Sequence, residues 1–198
     1  LFILLIATAV TVAGLLLRET TTRNRGDGTT SSTTQPVVAP EPVTIAKVVP
    51  YDPQGTGEPG ERNDYAPLAI DGSSDTAWRT EAYNLRRFGT KSGVGLGLEL
   101  DGTWQLSQMQ IDGSQNGWSA SIYVLDEGTE LEGFDPDATE PLTVLEAVDG
   151  PVDLDLAGLD APPGGRLLIW ITDLGAPQDG GRHRVEIAEV RLTGSQVG

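Results

Sequence analysis

The segment that decides the fold is Ala69-Ile70-Asp71-Gly72-Ser73-Ser74-Asp75-Thr76-Ala77-Trp78-Arg79-Thr80. Acidic, hydroxyl and glycine residues fill this short loop, and a large aromatic residue follows it. The loop can fold its oxygens around a hard cation, while Trp78 anchors it in a hydrophobic core. The alternative interpretation is that Asp71 and Asp75 cap turns and that the Thr76 hydroxyl satisfies backbone donors.

Composition divides the 198 residues into four parts. Residues 1–17 carry no charge and reach the lower limit of about 17 apolar residues for a transmembrane helix; a secretory h-region is the alternative. Residues 18–44 are rich in Thr, Ser and Pro, which predicts a disordered stalk or linker. Residues 45–194 have the length of one folded domain, and residues 195–198 form a tail.

The charge of the chain excludes several classes of partner. It holds 29 Asp and Glu against 13 Lys and Arg, a formal net charge of −16. Nucleic acid needs a basic face, and broad contact with anionic lipid needs the same, so neither is expected. The chain has no cysteine, which excludes disulfides and thiolate metal sites.

Two sequence signals disagree about the side of the membrane on which the domain lies. Arg18, Arg23 and Arg25 follow the apolar run, and the positive-inside rule would place them in the cytoplasm. A Thr/Ser/Pro-rich stalk before an acidic β-domain is typical of an outward-facing arrangement. We therefore expect a single-pass segment in the plasma membrane with an extracytoplasmic domain.

The folded part predicts an all-β domain of about eight strands, with one short helical turn over 63–68. Alternating apolar residues and Gly- or Pro-containing turns favour a sandwich or jelly roll. A turn at Asp101-Gly102 ends one strand, and the acidic loop 126–140 is interpreted as solvated surface. The predicted strands are 43–49, 94–100, 104–111, 120–125, 142–148, 152–156, 166–172 and 185–192.

Strict alternation between positions 104 and 111 predicts two faces on that strand. Trp104 and Leu106 share one face, and Met109 and Ile111 share the other. Trp118 and Trp170 are expected in different environments. Trp170, within Leu168-Ile169-Trp170-Ile171, is interpreted as a core residue.

The segment 69–78 resembles the A-x-D-G-x-x-x-T-x-W signature of discoidin domains, also called factor 5/8 type C or galactose-binding-like domains. Family 32 carbohydrate-binding modules belong with them. Ile187-Ala188-Glu189-Val190 resembles the closing strand of that fold. The resemblance covers residues 45–194 and implies a discoidin-like jelly-roll β-sandwich in which the loop at Asp71 lies against Glu189.

The same resemblance implies a structural Ca²⁺ in the loop. Calcium takes about six to eight oxygen ligands, and Gly72 permits the tight turn that would bring them together. Carried over by position, the ligands are the carbonyl of Leu68, the side chain of Asp71, oxygens of Ser73 and Thr76, the carbonyl of Ala188 and the carboxylate of Glu189.

A narrower resemblance concerns Trp78-Arg79-Thr80-Glu81-Ala82-Tyr83 and Lys91-Ser92-Gly93-Val94-Gly95-Leu96. These runs look like the exported C-terminal domain of actinobacterial MviN/MurJ-type proteins and related membrane-tethered kinase-like proteins. The order of helix, stalk and β-domain is also similar. This resemblance implies a role near peptidoglycan precursors.

A basic cluster between positions 79 and 91 supplies the candidate ligand-binding residues, because arginine forks suit carboxylates and phosphates. It predicts recognition of an anionic cell-envelope group; the alternative is that these cations pair with local acids such as Glu81 and Asp64. Trp118, interpreted as the most exposed aromatic residue, is either a platform for a sugar or an anchor for its turn. The candidate ligand-binding residues are Arg79, Tyr83, Arg86, Arg87, Lys91 and Trp118.

The sequence gives little support for catalysis. The single histidine, His183, lies between Arg182 and Arg184 and is interpreted as a strand-edge residue. No G-x-S-x-G, H-E-x-x-H or phosphate-binding loop occurs. We therefore expect a non-enzymatic, membrane-anchored module that binds a cell-envelope glycan; the alternative is a protein-interaction or structural regulatory domain of a flippase or kinase-like protein.

Overall fold

The computed structural model describes residues 39–55 and 61–197. Within them, 3₁₀ helices cover Asn63–Ala69 and Asp179–Gly181, and neither helix is long and apolar enough to span a membrane. The membrane helix expected at 1–17 and the stalk up to residue 38 lie outside the described residues. The strands are β1 Glu41–Pro42, β2 Ile45–Tyr51, β3 Trp78–Arg79, β4 Val94–Gly113, β5 Trp118–Leu125, β6 Thr143–Val148, β7 Val152–Asp155, β8 Gly164–Asp173 and β9 Glu186–Gln196.

These nine strands form a curled antiparallel sheet, which is consistent with the predicted β-sandwich. In the front layer, β2 and β8 flank the first half of β4, and β5 and β6 follow beside β8. In the back layer, β7 and β9 flank the second half of β4, and the short strands β1 and β3 pair with β9. The all-β prediction is confirmed for the described residues.

Strand β4 is longer than expected, because the Asp101-Gly102 pair does not form a turn. The chain continues through it as one 20-residue strand, Val94–Gly113, with a register shift between Glu99 and Trp104. Gly102 has a φ of 131°, which permits the bend. The two strands predicted at 94–100 and 104–111 are therefore halves of one strand that passes from the front layer to the back.

The predicted division of 104–111 into two faces is also wrong. A bulge between Leu106 and Gln108 adds one residue to β4, and an extra residue reverses the faces beyond it. As a result Trp104, Leu106, Met109 and Ile111 all lie in the same hydrophobic core.

The boundaries of the domain extend beyond those predicted. Glu41 and Pro42, assigned to the linker, pair with Gly194 and Thr193 of β9. The predicted tail begins inside β9, because Ser195 and Gln196 pair with β4. Backbone hydrogen bonds between strands thus bring both ends of the described chain into the sheet.

The acidic loop 126–140 is not simply solvated, because part of it packs on the outer face of the front layer. Leu131 is buried there in a second hydrophobic cluster with Tyr51, Tyr123 and Trp170, and Phe134 packs against it. Its charged residues Glu130 and Glu132 remain exposed. Trp170 is confirmed as a core residue, with an exposed fraction of 1%.

Candidate functional site

The Asp71 loop is organised by its own side chains. Asp71 Oδ1 accepts a hydrogen bond from the Ser73 backbone amide at 2.9 Å, and its Oδ2 accepts one from the Thr76 hydroxyl at 2.6 Å. The Thr76 hydroxyl also lies 3.3 Å from the Ser73 carbonyl oxygen. Gly72 has a φ of 80°, which lets the chain turn tightly at this point.

The loop meets the closing strand, as the resemblance implied. The Gly72 backbone amide donates a 2.8 Å hydrogen bond to Oε2 of Glu189, which is buried in β9. Ala188 and Thr76 line one cleft of about 290 Å³, and Leu68 lies on the 3₁₀ helix that packs against β9. The structure therefore brings the six residues expected at the cation site into one region.

The donor set at this loop fits a hard cation. Asp71 and Glu189 supply carboxylates, Ser73 and Thr76 supply hydroxyl and carbonyl oxygens, and these are the ligand types that Ca²⁺ uses. Among residues 39–55 and 61–197, no three His, Cys, Asp or Glu side chains are grouped so that they could hold a metal ion. A cation at this loop would consequently depend on backbone carbonyls as much as on side chains.

The predicted basic cluster is divided among three places. Arg79 lies beside the Asp71 loop and forms a 3.1 Å ion pair with Glu186. Tyr83 and Lys91 enter a partly buried network, whereas Arg86 and Arg87 converge on Asp173. These cations do pair with acids, as the alternative interpretation predicted. Their partners, however, lie in β9, in β8 and at the end of β2, and they are not Glu81 and Asp64.

The network around Tyr83 and Lys91 is centred on Glu61, whose side chain is fully buried. Tyr83 and the Glu81 backbone amide donate hydrogen bonds to its two oxygens. Lys91 Nζ lies 2.5 Å from Asp52 Oδ2 and 3.2 Å from the Tyr83 hydroxyl. These contacts connect the loop after β3 to the chain after β2. Tyr83 and Lys91 therefore stabilise the fold and are less available for contact with a ligand.

Burial dominates the ionisation of this network. It raises the pKa of Glu61, although the hydrogen bonds from Tyr83 and the Glu81 amide oppose the shift. Burial, and then the nearby Glu61 carboxylate, raise the pKa of Tyr83, which stays a hydroxyl donor. The network therefore favours a neutral Glu61 more than an exposed position would.

Asp173, at the end of β8, holds the two arginines of the loop. Its Oδ1 lies 2.6 Å from Arg86 Nε, and its Oδ2 lies 3.5 Å from Arg87 Nε. Burial alone would raise the pKa of Asp173, but hydrogen bonds from Arg86 and from the Gly175 amide outweigh it and hold the pKa below its usual value. Asp173 is therefore a fixed anion, while the Arg87 side chain remains 85% exposed.

Trp118 is not an exposed aromatic residue, and its assignment to a ligand-binding surface is wrong. It is fully buried at the start of β5, and its Nε1 donates to the Ser114 carbonyl at 2.9 Å. A ring this large is buried because β5 lies within the front layer between β6 and β8. The structure supports the alternative interpretation, in which Trp118 anchors its turn.

A cleft of about 360 Å³, which we call the Arg87 cleft, lies on the outer face of β5, β6 and β8. It is bordered by the loop between β3 and β4 that carries Arg87. Two carboxylates and an arginine share the cleft with three hydroxyl groups and one half-exposed apolar side chain. The residues lining it are Arg87, Ser92, Ser119, Val144, Glu146, Thr172 and Asp173. Donors, acceptors and a small apolar patch on one surface are what a polyhydroxylated ligand needs.

Sequence reasoning missed most of this cleft. The sequence does not place Ser119 and Thr172 in any site, because isolated hydroxyl residues are not distinctive in a chain of 198 residues. Asp173 is the last residue of the buried strand β8, and an acid in such a position needs a partner. Its distance of 87 residues from Arg86 kept the pair out of view.

No family model matches the chain. Among solved structures, the CBM32 of AlyQ in complex with 4,5-unsaturated mannuronic acid aligns with a TM-score of 0.50 and 12% identity, over 77% of this chain and 97% of that one. The described domain has the fold of a family 32 carbohydrate-binding module.

Larger proteins share the same fold in part of their length. A truncated AlyQ with CBM32 and alginate lyase domains aligns with a TM-score of 0.50 and 13% identity, over 81% of this chain and 34% of that one. A family 89 glycoside hydrolase from Clostridium perfringens in complex with PUGNAc aligns with a TM-score of 0.51 and 18% identity, over 79% and 15%. The chain thus spans only a minor share of these larger proteins.

Proposed function

We propose that this domain is a non-catalytic glycan-binding module and that the Arg87 cleft is its ligand site. The observation that carries the proposal is the pairing of Arg87 with the fixed carboxylate of Asp173 beside Ser119 and Thr172. Sugar hydroxyls both donate and accept hydrogen bonds, so they need donors and acceptors side by side. The solved CBM32 of the same fold holds a mannuronic acid derivative, which supports this class of ligand.

The chemistry of the cleft favours a glycan with an anionic group. Arg87 lies 3.5 Å from Asp173 through its Nε, and its exposed guanidinium offers a planar fork of N–H donors, which suits a carboxylate or phosphate. Val144 is 50% exposed in the same cleft and suits the C–H face of a sugar ring. The ligand class that follows is a cell-envelope glycan, related to peptidoglycan or of another type.

The remaining parts of the proposal concern the setting of the domain. Residues 1–17 anchor the chain in the plasma membrane, the linker carries the domain, and the domain is extracytoplasmic as part of a larger membrane protein. The apolar run and the composition of the linker support this arrangement. A structural Ca²⁺ at Asp71, Ser73, Thr76 and Glu189 joins the loop to β9 without taking part in binding.

The second candidate is an interaction or regulatory domain that binds a protein. Leu85 is 60% exposed in the loop that carries the two arginines, which favours contact with another macromolecule. A single exposed leucine is common on protein surfaces, so the Arg87 cleft carries more weight.

Titration calorimetry of the full chain with galactose, N-acetylglucosamine, glucuronate and a soluble peptidoglycan disaccharide tests the proposal. We expect one of these sugars to bind and Arg87→Ala to weaken it about tenfold, the usual cost of a charged hydrogen bond. Arg191→Ala removes a half-exposed arginine that pairs with Asp112 outside the cleft and is expected to leave binding unchanged. A folded wild-type chain that binds none of them contradicts the proposal and favours the protein partner.

A further inference from the structure

A second cleft lies on the outer face of the front layer, where three side-chain rows cross β2, β4 and β8. The first row is charged, the second contains a glycine between two apolar residues, and the third contains a glycine between two aromatic residues. The rows are Lys47, Glu99 and Arg166; Val49, Gly97 and Leu168; and Tyr51, Gly95 and Trp170. The two glycines remove the side chains of β4 and leave a trough along it.

The loop 126–140 covers the trough on one side, and the resulting open cleft has a volume of about 550 Å³. A side chain at Gly97 would put its Cβ 2.2 Å from Leu131 Cδ1, so the loop rests directly on the strand. Small-molecule sites typically measure about 300–1,000 Å³. Along β8, Arg166 at this cleft and Thr172 at the Arg87 cleft are about 20 Å apart at the usual rise of a strand.

The wall of the cleft is held in place by side chains of the sheet. Tyr51 donates its hydroxyl hydrogen to the Phe134 carbonyl, and Tyr123 donates to the Pro136 carbonyl at 2.8 Å. Arg166 donates to the Thr129 carbonyl and pairs with Glu99 at 3.3 Å. The cleft is therefore preformed, which lowers the entropic cost of binding.

The charges of the cleft favour a cationic ligand. Four carboxylates line the cleft against two cations, Lys47 and Arg166. Arg166 pairs with Glu99 at 3.3 Å and with Glu130 at 3.7 Å, whereas neither Lys47 nor Glu132 forms an ion pair with residues 39–55 or 61–197. The Asp52 side chain, which also lines the cleft, is only 6% exposed. Its Oδ2 pairs with Lys91 at 2.5 Å, and its Oδ1 is buried with no hydrogen-bond partner among residues 39–55 and 61–197. A buried carboxylate oxygen without a donor is costly.

We propose that this cleft binds a primary ammonium group carried on a short polar body. An ammonium group has three N–H donors, which suit Asp52 Oδ1 and the free carboxylate of Glu132. Val49 and Gly97 offer the body of the ligand an apolar floor, and Leu131 of the covering loop offers it an apolar wall. The formal charge of −16 on the chain adds an attractive field for cations. An amino sugar and a lysine-type side chain both present this chemistry, and the site does not depend on the function of the Arg87 cleft.

The test is titration of the full chain, at low salt, with two pairs of probes that differ only in the charge of one amine. The pairs are D-glucosamine with N-acetyl-D-glucosamine, and Nα-acetyl-L-lysine with Nα,Nε-diacetyl-L-lysine. We expect the ammonium member of at least one pair to bind about tenfold more tightly than its acetylated partner. A preference between the two amines identifies the amino sugar or the lysine-type side chain as the source.

Two variants locate the binding. Glu132→Gln is expected to weaken it about two- to fivefold, as for other exposed charge pairs, and Val49→Tyr to abolish it by filling the trough. Glu140→Gln removes another exposed carboxylate of the same loop that lines neither cleft; it is the matched control and is expected to have no effect. Equal affinity for amine and acetylated probes, no binding of either amine, or unchanged affinity in folded Glu132→Gln and Val49→Tyr chains would overturn the proposal.

Discussion

The backbone amide of Gly72 donates a 2.8 Å hydrogen bond to Oε2 of Glu189, across 117 residues of sequence. The contact joins the loop after the first 3₁₀ helix to the closing strand β9. It also places the carboxylate of Glu189 against the loop whose shape Asp71 determines through Ser73 and Thr76. The stability of this junction is therefore sensitive to both acids.

Calcium is expected to stabilise the domain through this junction. Adding Ca²⁺ to EDTA-treated wild type should raise the melting temperature, because a ligand that binds only the native state shifts unfolding by mass action. Asp71→Asn should abolish the increase, since it removes a charged oxygen ligand. Differential scanning calorimetry with and without Ca²⁺ measures both effects.

Asp75→Asn is the matched control for that experiment, because Asp75 lies in the same loop and is not among the expected ligands. It should keep the calcium-dependent increase. A wild-type melting temperature that does not change between EDTA and millimolar Ca²⁺ would remove the ion from the site.

The buried Glu61 should make part of the stability fall as pH rises. Its pKa is raised in the native state, so between its unfolded value, about 4.3, and its native value the native state binds more protons than the unfolded state. Stability from this group is then lost as pH increases. Urea unfolding of wild type and Glu61→Gln should show the wild-type advantage shrinking from pH 4 to pH 7; an advantage that grows over this range would contradict the expectation.

Asp173 should act in the opposite direction. Because its pKa is lowered in the native state, its contribution is present above its unfolded pKa, about 3.9, and disappears as pH falls through the native value. Arg86→Ala should destabilise the domain by about 1 kcal/mol at neutral pH, a modest amount because solvent screens the half-exposed arginine.

The same variant should cost much less near pH 2, where Asp173 is protonated. Arg191→Ala, whose partner Asp112 is more exposed than Asp173, is the control and should have a smaller effect at both pH values. Equal destabilisation by Arg86→Ala at both pH values would show that the arginine acts through packing and not through its charge.

All four tryptophans of the chain should behave as core residues. Trp78, Trp104, Trp118 and Trp170 have exposed fractions of 0–5%, so acrylamide should quench their fluorescence weakly. Trp118→Ala should cost about 3–5 kcal/mol, as large-to-small core substitutions do, while Trp118→Phe should cost less. Strong quenching in the wild type, together with a near-neutral Trp118→Ala, would support an exposed Trp118.

Much of the fold could be predicted from local pattern. Period-2 alternation placed the strands near β5 to β9, and the acidic loop before Trp78 indicated a specific sandwich architecture. The predictions for β4 were wrong at two places where a single residue changes the backbone geometry. Gly102 continues a strand where a turn was expected, and the bulge before Gln108 lets the apolar residues on both sides of it face the core.

The candidate sites were less predictable, because opposite charges find partners across the fold and not along the chain. Arg86 and Asp173 are 87 residues apart, and Lys91 and Asp52 are 39 apart. The glycines at 95 and 97 carried a signal for the trough on β4, but alternation alone could not show that a loop from residues 126–140 covers it.

The sequence by itself determined the class of fold and the residues around Asp71, because alternation and turn chemistry act between near neighbours. Only the tertiary structure decided which basic residues remain available and where clefts form. Pairing of distant strands commits Arg79 and Lys91 to buried or half-buried acids, leaves Arg87 in solvent, and encloses Trp118. Charge pairing and burial depend on distances that are set only when the two layers close.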